Sequence, residues 1–282
     1  MLDIRYQGRD ESINLINTEN LQLSAYEGLN QPTAEIVSLT NPNIKGTRYQ
    51  RSAIQDRQIS FTFFVYDVEN TRYKIMKVFK IGEKGTLHLK NDYREGKIDC
   101  YVEEVNFDRF QQLTTLQILL RAPDPYFEGL SEITTELDNI TKMFSFKAFI
   151  TEPVVLGLIE SEHKATIINK SDDDLGIEIA IYANGKVVNP YVVNTTTDQT
   201  IGVNLVLTEG ESLIIDTHKG RKKITWRHND GRVPENVINK IMVNSEFFSL
   251  IRGENILRFG ASNGSGVYAD CRVRYNNKYE AI

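Results

Sequence analysis

His88, His163, His218 and His228 are the four histidines of the chain, the side chains best suited to hold a metal or pass a proton near neutral pH. They are scattered, none has a partner at metal-ligand spacing, and neither His-Glu-x-x-His nor Cys-x-x-Cys occurs. The two cysteines, Cys100 and Cys271, suit neither a metal knuckle nor a disulfide framework and are expected as buried free thiols. Neither a Walker lysine loop nor a nucleophile elbow is read, and residues 260–266 are expected as a flexible turn between strands rather than a phosphate cradle. Glycoside hydrolysis needs an acid and a base facing one sugar, which Glu103, Glu104 or Glu178 can supply by type, but carboxylates on strand exteriors are mostly solvated. Trp226, the single tryptophan, has the ring of a sugar platform, yet its alternation with Ile224 suits a core or lip position better. The expectation is a non-enzyme with no cofactor and no metal.

The 282 residues carry a net charge of -5, with acidic and basic residues interspersed. The short runs Asp172-Asp173-Asp174 and Arg221-Lys222-Lys223 read as solvated turns, and no basic face fit to neutralise several phosphates is visible, so nucleic-acid specificity is not expected. A mean hydropathy of -0.35, no apolar run near the ~20 residues that span a bilayer, and an N-terminus unlike a secretion signal predict no membrane insertion and synthesis in a cytoplasm.

The elements that must position these side chains are mostly strands. Residues 21–26, 34–39 and 58–66 alternate apolar and polar side chains and are bounded by Gly, Asn or Pro, which predicts half-buried strands. Between the last two lies a polar, turn-rich segment, long for a hairpin loop. One helix is predicted from the Asp67 N-cap to the Gly82 stop, with Val68, Ile75, Met76 and Phe79 along its core face. Strands resume at 86–89, 97–105 and 113–120, giving a β-sandwich with one packed helix.

Pro123 and Pro125 cannot both sit inside a central strand, so a boundary is placed there. The predicted organisation is a first domain over 1–127, a linker or edge excursion over 128–142 and a second domain over 143–282. The second reads as strands at 153–156, 164–169, 176–182, 199–205, 211–217, 222–226, 255–260 and 270–275, with Asn184-Gly185 as a hairpin signal. The fold class is mainly β, with two antiparallel β-sandwiches.

Several stretches then resemble the distal tail protein family of siphophages. Leu119-Leu120-Arg121-Ala122-Pro123-Asp124-Pro125-Tyr126-Phe127 resembles the phrase that closes the family's N-terminal domain. Ala165-Thr166-Ile167-Ile168-Asn169-Lys170-Ser171-Asp172 is similar to the opening of its second domain, with Ser171 where glycine is common. Asn189-Pro190, then Gly210-Glu211-Ser212-Leu213-Ile214-Ile215-Asp216-Thr217, then Ser245 to Phe259 with Gly253 and Asn255, follow the family's later motifs in order, Leu257 being a departure.

The resemblance implies an N-terminal sandwich that builds a hexameric ring around a tail channel, and a galectin-like C-terminal sandwich outside it. It implies a virion tail tip location, with rings single or paired. The implied partners are the major tail protein, the tape measure protein, a tail-associated fibre or lysin protein and, in some phages, a receptor-binding protein. The long insertions that carry sugar-binding modules in some relatives are absent, so direct host-sugar binding is not implied. Ring closure requires two different complementary surfaces on each copy. Residues 41–58 are the candidate inter-subunit arm, with Ile44, Tyr49 and Ile54 as anchors and Arg48, Arg51 and Arg57 seeking carboxylates. The competing reading is a carbohydrate-binding β-sandwich with Trp226 as its platform.

Overall fold

The computed structural model describes residues 2–16, 18, 20–40, 45–108, 113–137 and 163–282. The chain forms two compact units, one comprising Met1–Leu130 with Lys278–Ile282 and the other Ser131–Asn277. The last five residues therefore pack with the first unit.

The first unit contains strands β1 (Asp3–Gln7), β2 (Ser12–Asn14), β3 (Leu21–Glu27), β4 (Ala34–Thr40), β5 (Thr47–Ile54) and β6 (Arg57–Val65), helix α1 (Val68–Val78), then β7 (Lys84–Lys90), β8 (Glu95–Asp108), β9 (Thr114–Ala122) and the start of β10 (Phe127–Glu136). All pairings are antiparallel, as short connections require. The long strand β8 is shared: Glu95 to Tyr101 pair with β7, which continues to β1 and β2, while Tyr101 to Asp108 pair with β9, which continues to β6 and β3. A register shift between Val102 and Glu104 marks the change of partner, as a bulge does where a strand bends. Strict alternation in β6 buries Ile59, Phe61 and Phe63 while Gln58, Ser60 and Thr62 face outward.

Helix α1 starts as the sequence predicts, with Asp67 accepting from the Asn70 amide at 3.4 Å, and its exit turns through Gly82 at φ +79°. Ile75 and Phe79 are buried, and the Phe79 ring stacks on Tyr6 at 4.1 Å. Met76 is exposed; the helix instead buries Thr71, Ile75 and Val78, spaced four and three residues apart.

Two first-unit expectations need correction. Residues 34–39 form a strand, but not a half-buried one, and the polar segment after it is partly strand β5. The predicted linker begins as strand β10, whose Glu128 and Gly129 pair with Lys97 and Gly96. The prolines end β9 without ending the sheet, because β10 joins it on another edge.

The second unit contains β11 (His163–Asn169), β12 (Glu178–Ala183), β13 (Val187–Val188), β14 (Tyr191–Asn194), β15 (Gln199–Gly202), β16 (Val206–Leu207), β17 (Ser212–Asp216), β18 (Lys223–Arg227), β19 (Glu235–Asn236), β20 (Gly253–Gly260) and β21 (Ala269–Tyr279). One sheet runs β11-β20-β14-β15 and the facing layer runs β21-β12-β17-β18-β19, with Val192, Ile201, Leu257 and Phe259 meeting Ile179, Ile181, Leu213 and Ile215 in the core. Leu257, a departure from the family pattern, is fully buried there. Both cysteines are buried free thiols, as expected.

Asn184-Gly185 does not join a hairpin, since β12 pairs with β17 and β21 while β13 pairs with β16. The strand expected at 153–156 lies outside the described residues. Among the described residues no helix is long and apolar enough to cross a membrane.

Candidate functional site

Among the described residues, strands β4 and β5 pair only with each other. Their register places Ala34 opposite Ile54, Ile36 opposite Ser52 and Ser38 opposite Tyr49 on one face. The other face carries Glu35 with Ala53, Val37 with Arg51 and Leu39 with Arg48. An extra residue in β5 between these pairs keeps each set on its own side, and the Tyr49 hydroxyl reaches Ser52 Oγ at 3.0 Å.

Both faces are in solvent: Ile36 is 67% exposed, Tyr49 61%, Leu39 57% and Ile54 49%. An isolated two-stranded hairpin is marginal in water, and this one leaves four large apolar side chains uncovered on its two faces. Tyr49 and Ile54 thus share an apolar, hydroxyl-bearing face, and Arg48 and Arg51 share the opposite, basic one. Ile44 lies outside the described residues. Sequence reasoning missed Ile36 and Leu39, which it assigned to a half-buried strand. Period-two alternation signals strand but not what covers either face.

Arg57 differs from the other candidates in being buried. Its Nε donates to Pro125 O at 2.6 Å, Nη1 to Gly28 O at 2.6 Å and to Asn30 O, and Nη2 to Glu280 O at 2.6 Å. The guanidinium also sits 4.6 Å from the centre of the Phe127 ring. Burial pushes its pKa down to about 10, against Glu280 and Tyr126, which raise it, so it remains a cation at neutral pH. Carbonyl oxygens from residues 28–30, from Pro125 and from the C-terminal residues are tied by this one side chain, whose hydrogen bonds all go to backbone carbonyls. It anchors the hairpin's root.

A cavity of about 430 Å³ opens beside that root, lined by Glu27, Gln31, Gln55, Asp56, Gln58 and Arg121 among others. Arg121 grips Glu103 with two hydrogen bonds of 3.0 and 2.9 Å and Asp56 with a third of 3.0 Å. Glu103 is therefore an ion-pair partner, and Glu178 likewise accepts from Arg274 at 3.1 Å, so neither stands as a free acid or base. Glu104 is exposed, and it shares the first unit with Glu103 while Glu178 is in the second.

Trp226 packs against the second unit's core, with His228 4.1 Å from its ring centre and the Lys240 ammonium 4.9 Å away. The ring is therefore partly buried, between the core and the Lys240 ammonium. Residues 260–264 do have the literal spacing Gly-x-Ser-x-Gly, contrary to the sequence reading. Ser262, however, opens a 3-10 helix after β20 and not the strand-to-α-helix turn that raises a catalytic serine. Among the described residues no cluster of three or more His, Cys, Asp or Glu is placed to hold a metal.

The described residues thus form a mainly β chain of antiparallel sheets with an uncovered hairpin. Residues 171–279 match the family described as "Siphovirus-type tail component, C-terminal domain". Over its whole length the chain has the fold of the SPP1 Dit (gp 19.1) protein, described as "a Paradigm of Hub Adsorption Apparatus in Gram-positive Infecting Phages". That match has a TM-score of 0.72 at 9% identity and covers 99% of each chain. Chains of the phage P2 baseplate in its activated conformation are also similar, with Ca at a TM-score of 0.53 and 10% identity and with Sr at 0.50 and 9%, each covering 100% of both chains. No curated protein matches by sequence. The fold is that of a Dit-type phage tail and baseplate hub, in agreement with the resemblance noted from the sequence.

Proposed function

We propose that the protein is a non-enzymatic hub at the distal end of a long-tailed phage tail, six copies of which close into a ring joining the tail tube to the baseplate. The observation that carries this reading is the hairpin of β4 and β5, exposed on both faces and, among the described residues, paired with no other strand. A ring is a heterologous contact repeated until it closes, and an arm projecting from each copy onto the next supplies one half of that contact. Ile36, Tyr49 and Ile54 form its apolar side, and Arg48 and Arg51 with Leu39 its basic side, so both faces can be covered at once. Arg57 takes part only by holding the root in place.

The partners are those of a tail tip: the major tail protein, the tape measure protein, a fibre or lysin protein and, where present, a receptor-binding protein. Such a protein is made in the host cytoplasm and ends at the virion tail tip.

Light scattering across a concentration series, followed by negative-stain imaging of the largest species, tests the proposal. Rings of six or twelve chains with a central hole are expected. Rings that form equally well after residues 36–52 are replaced by a short Gly-Ser turn would remove the arm from the account. A chain that stays monomeric when mixed with its tube and baseplate partners would remove the ring.

A further inference from the structure

The outer surface of the second unit's β12-β17-β18 layer holds a groove of about 310 Å³, lined by Glu178, Ile214, Asp216, Lys223, Thr225 and Arg227, with Pro234 at one side. Register explains why these residues meet. Glu178, Asp216 and Lys223 lie opposite one another across three strands, as do Ile214 and Thr225, while Ile179, Ile215 and Ile224 point to the core.

The charged groups of the groove differ in what already satisfies them. Glu178 Oε1 accepts from Arg274, and Asp216 Oδ1 accepts from the His218 amide at 2.9 Å and faces its ring Nδ1 at 2.6 Å. Among the described residues Lys223 and Arg227 have no such engagement, and they are exposed, four residues apart on one strand face, about 13 Å along it. Lys219, Arg221 and Lys222 in the turn before β18 add positive charge at the same end. The free valence of the groove is thus cationic at its rim, with one carboxylate oxygen each of Glu178 and Asp216 left to accept hydrogen bonds. Ile214 and Pro234 offer an apolar surface beside them.

We propose that this groove binds an anionic saccharide, a sugar carrying a phosphate or carboxylate group beside free hydroxyls. The cations take the anionic group, the remaining carboxylate oxygens and Thr225 take hydroxyls, and Ile214 with Pro234 meets the C–H face of the ring. A bare polyanion fits less well, because Glu178 and Asp216 repel it. The proposal needs no ring and no arm, and its groove residues do not include Trp226.

Calorimetric titration of the full chain with oligogalacturonate, glucose 6-phosphate, maltotriose and polyglutamate tests it. One or both anionic sugars bind at millimolar concentration or below, and their relative affinity identifies the carboxylate or the phosphate as the recognised group. Maltotriose binds at least about tenfold more weakly, and high salt weakens the anionic sugars. The double variant Lys223→Gln/Arg227→Gln loses about tenfold or more with its melting temperature unchanged. Asp216→Asn weakens the sugars while strengthening polyglutamate. Polyglutamate binding as tightly as the sugars would reassign the groove to an acidic protein segment. Equal binding of maltotriose, or no binding of any probe, would overturn the proposal.

Discussion

Asn194 Nδ2 donates to Asn255 Oδ1 at 3.2 Å, and both side chains are fully buried. Asn255 also donates to Ile251 O at 2.7 Å and Gly253 O at 3.1 Å and accepts from the Ile251 amide at 3.0 Å, closing the turn that feeds β20. Asn194 in turn accepts from the Thr196 amide at 3.1 Å, shaping the turn after β14. Two neighbouring strands of one sheet are therefore tied at their ends by side chains that replace missing ladder bonds.

Asn255→Leu removes the acceptor of the buried Asn194 side-chain amide, at about 1–3 kcal/mol for that group, and the turn bonds to the part-buried Ile251 amide and carbonyl, which cost less because water can reach them. Urea denaturation followed through Trp226, which reports on the second unit, is expected to show a midpoint lowered by an amount equivalent to at least about 2 kcal/mol. An unchanged midpoint would show that Asn255 is not structural.

Asn255 also shows why parts of this fold were readable from sequence. The motifs carrying the family resemblance include buried polar staples: Asn169 donates to Leu250 O and Asp173 O and accepts from the Ser171 amide, and Glu211 accepts from the Thr208 amide. A buried amide has few replacements, so such residues leave a legible trace. The alternation of β6 and the cap of α1 were readable for similarly local reasons. The exposure of β4 and β5 was not, because it is set by what is absent above each face. Nor was the burial of Arg57, whose partners are backbone carbonyls as distant as residue 280.

Arg57 separates anchoring from docking. Arg57→Leu leaves the carbonyls of Gly28, Asn30, Pro125 and Glu280 without their donor, and a loss of first-unit stability of about 3 kcal/mol or more is expected in thermal unfolding. Arg48→Ala and Arg51→Ala are expected to leave the melting temperature within about 1 °C, since surface changes cost little. If Arg57→Leu melts like the unaltered protein, the root is held by other contacts.

The arm's apolar face makes the complementary case. Changing Ile36, Tyr49 and Ile54 together to Ser removes side chains that contribute about 1.5–3 kcal/mol each when fully buried and little when exposed. The monomer is expected to keep its melting temperature while the concentration needed for ring formation rises by at least about tenfold in light scattering. A fall in melting temperature with no change in assembly would mean that the arm is covered by its own chain.

Acid sensitivity follows from Glu211. Burial raises its pKa, but the Thr208 amide, the His228 ring and the Thr208 hydroxyl together outweigh burial and hold the carboxyl below its usual value of 4.5. Its Oε1 lies 3.1 Å from His228 Nδ1, and its Oε2 accepts from the Thr208 amide at 2.8 Å and hydroxyl at 3.0 Å. A carboxyl whose pKa is lower folded than unfolded contributes stability that is fully present above the unfolded value and is lost as pH falls through the folded one. The second unit should therefore lose stability as pH drops below about 4.5, and Glu211→Gln should lower stability at pH 7 while flattening that acid slope. Urea midpoints measured through Trp226 at a series of pH values check this. A variant that keeps the same acid slope would assign the loss to other carboxylates.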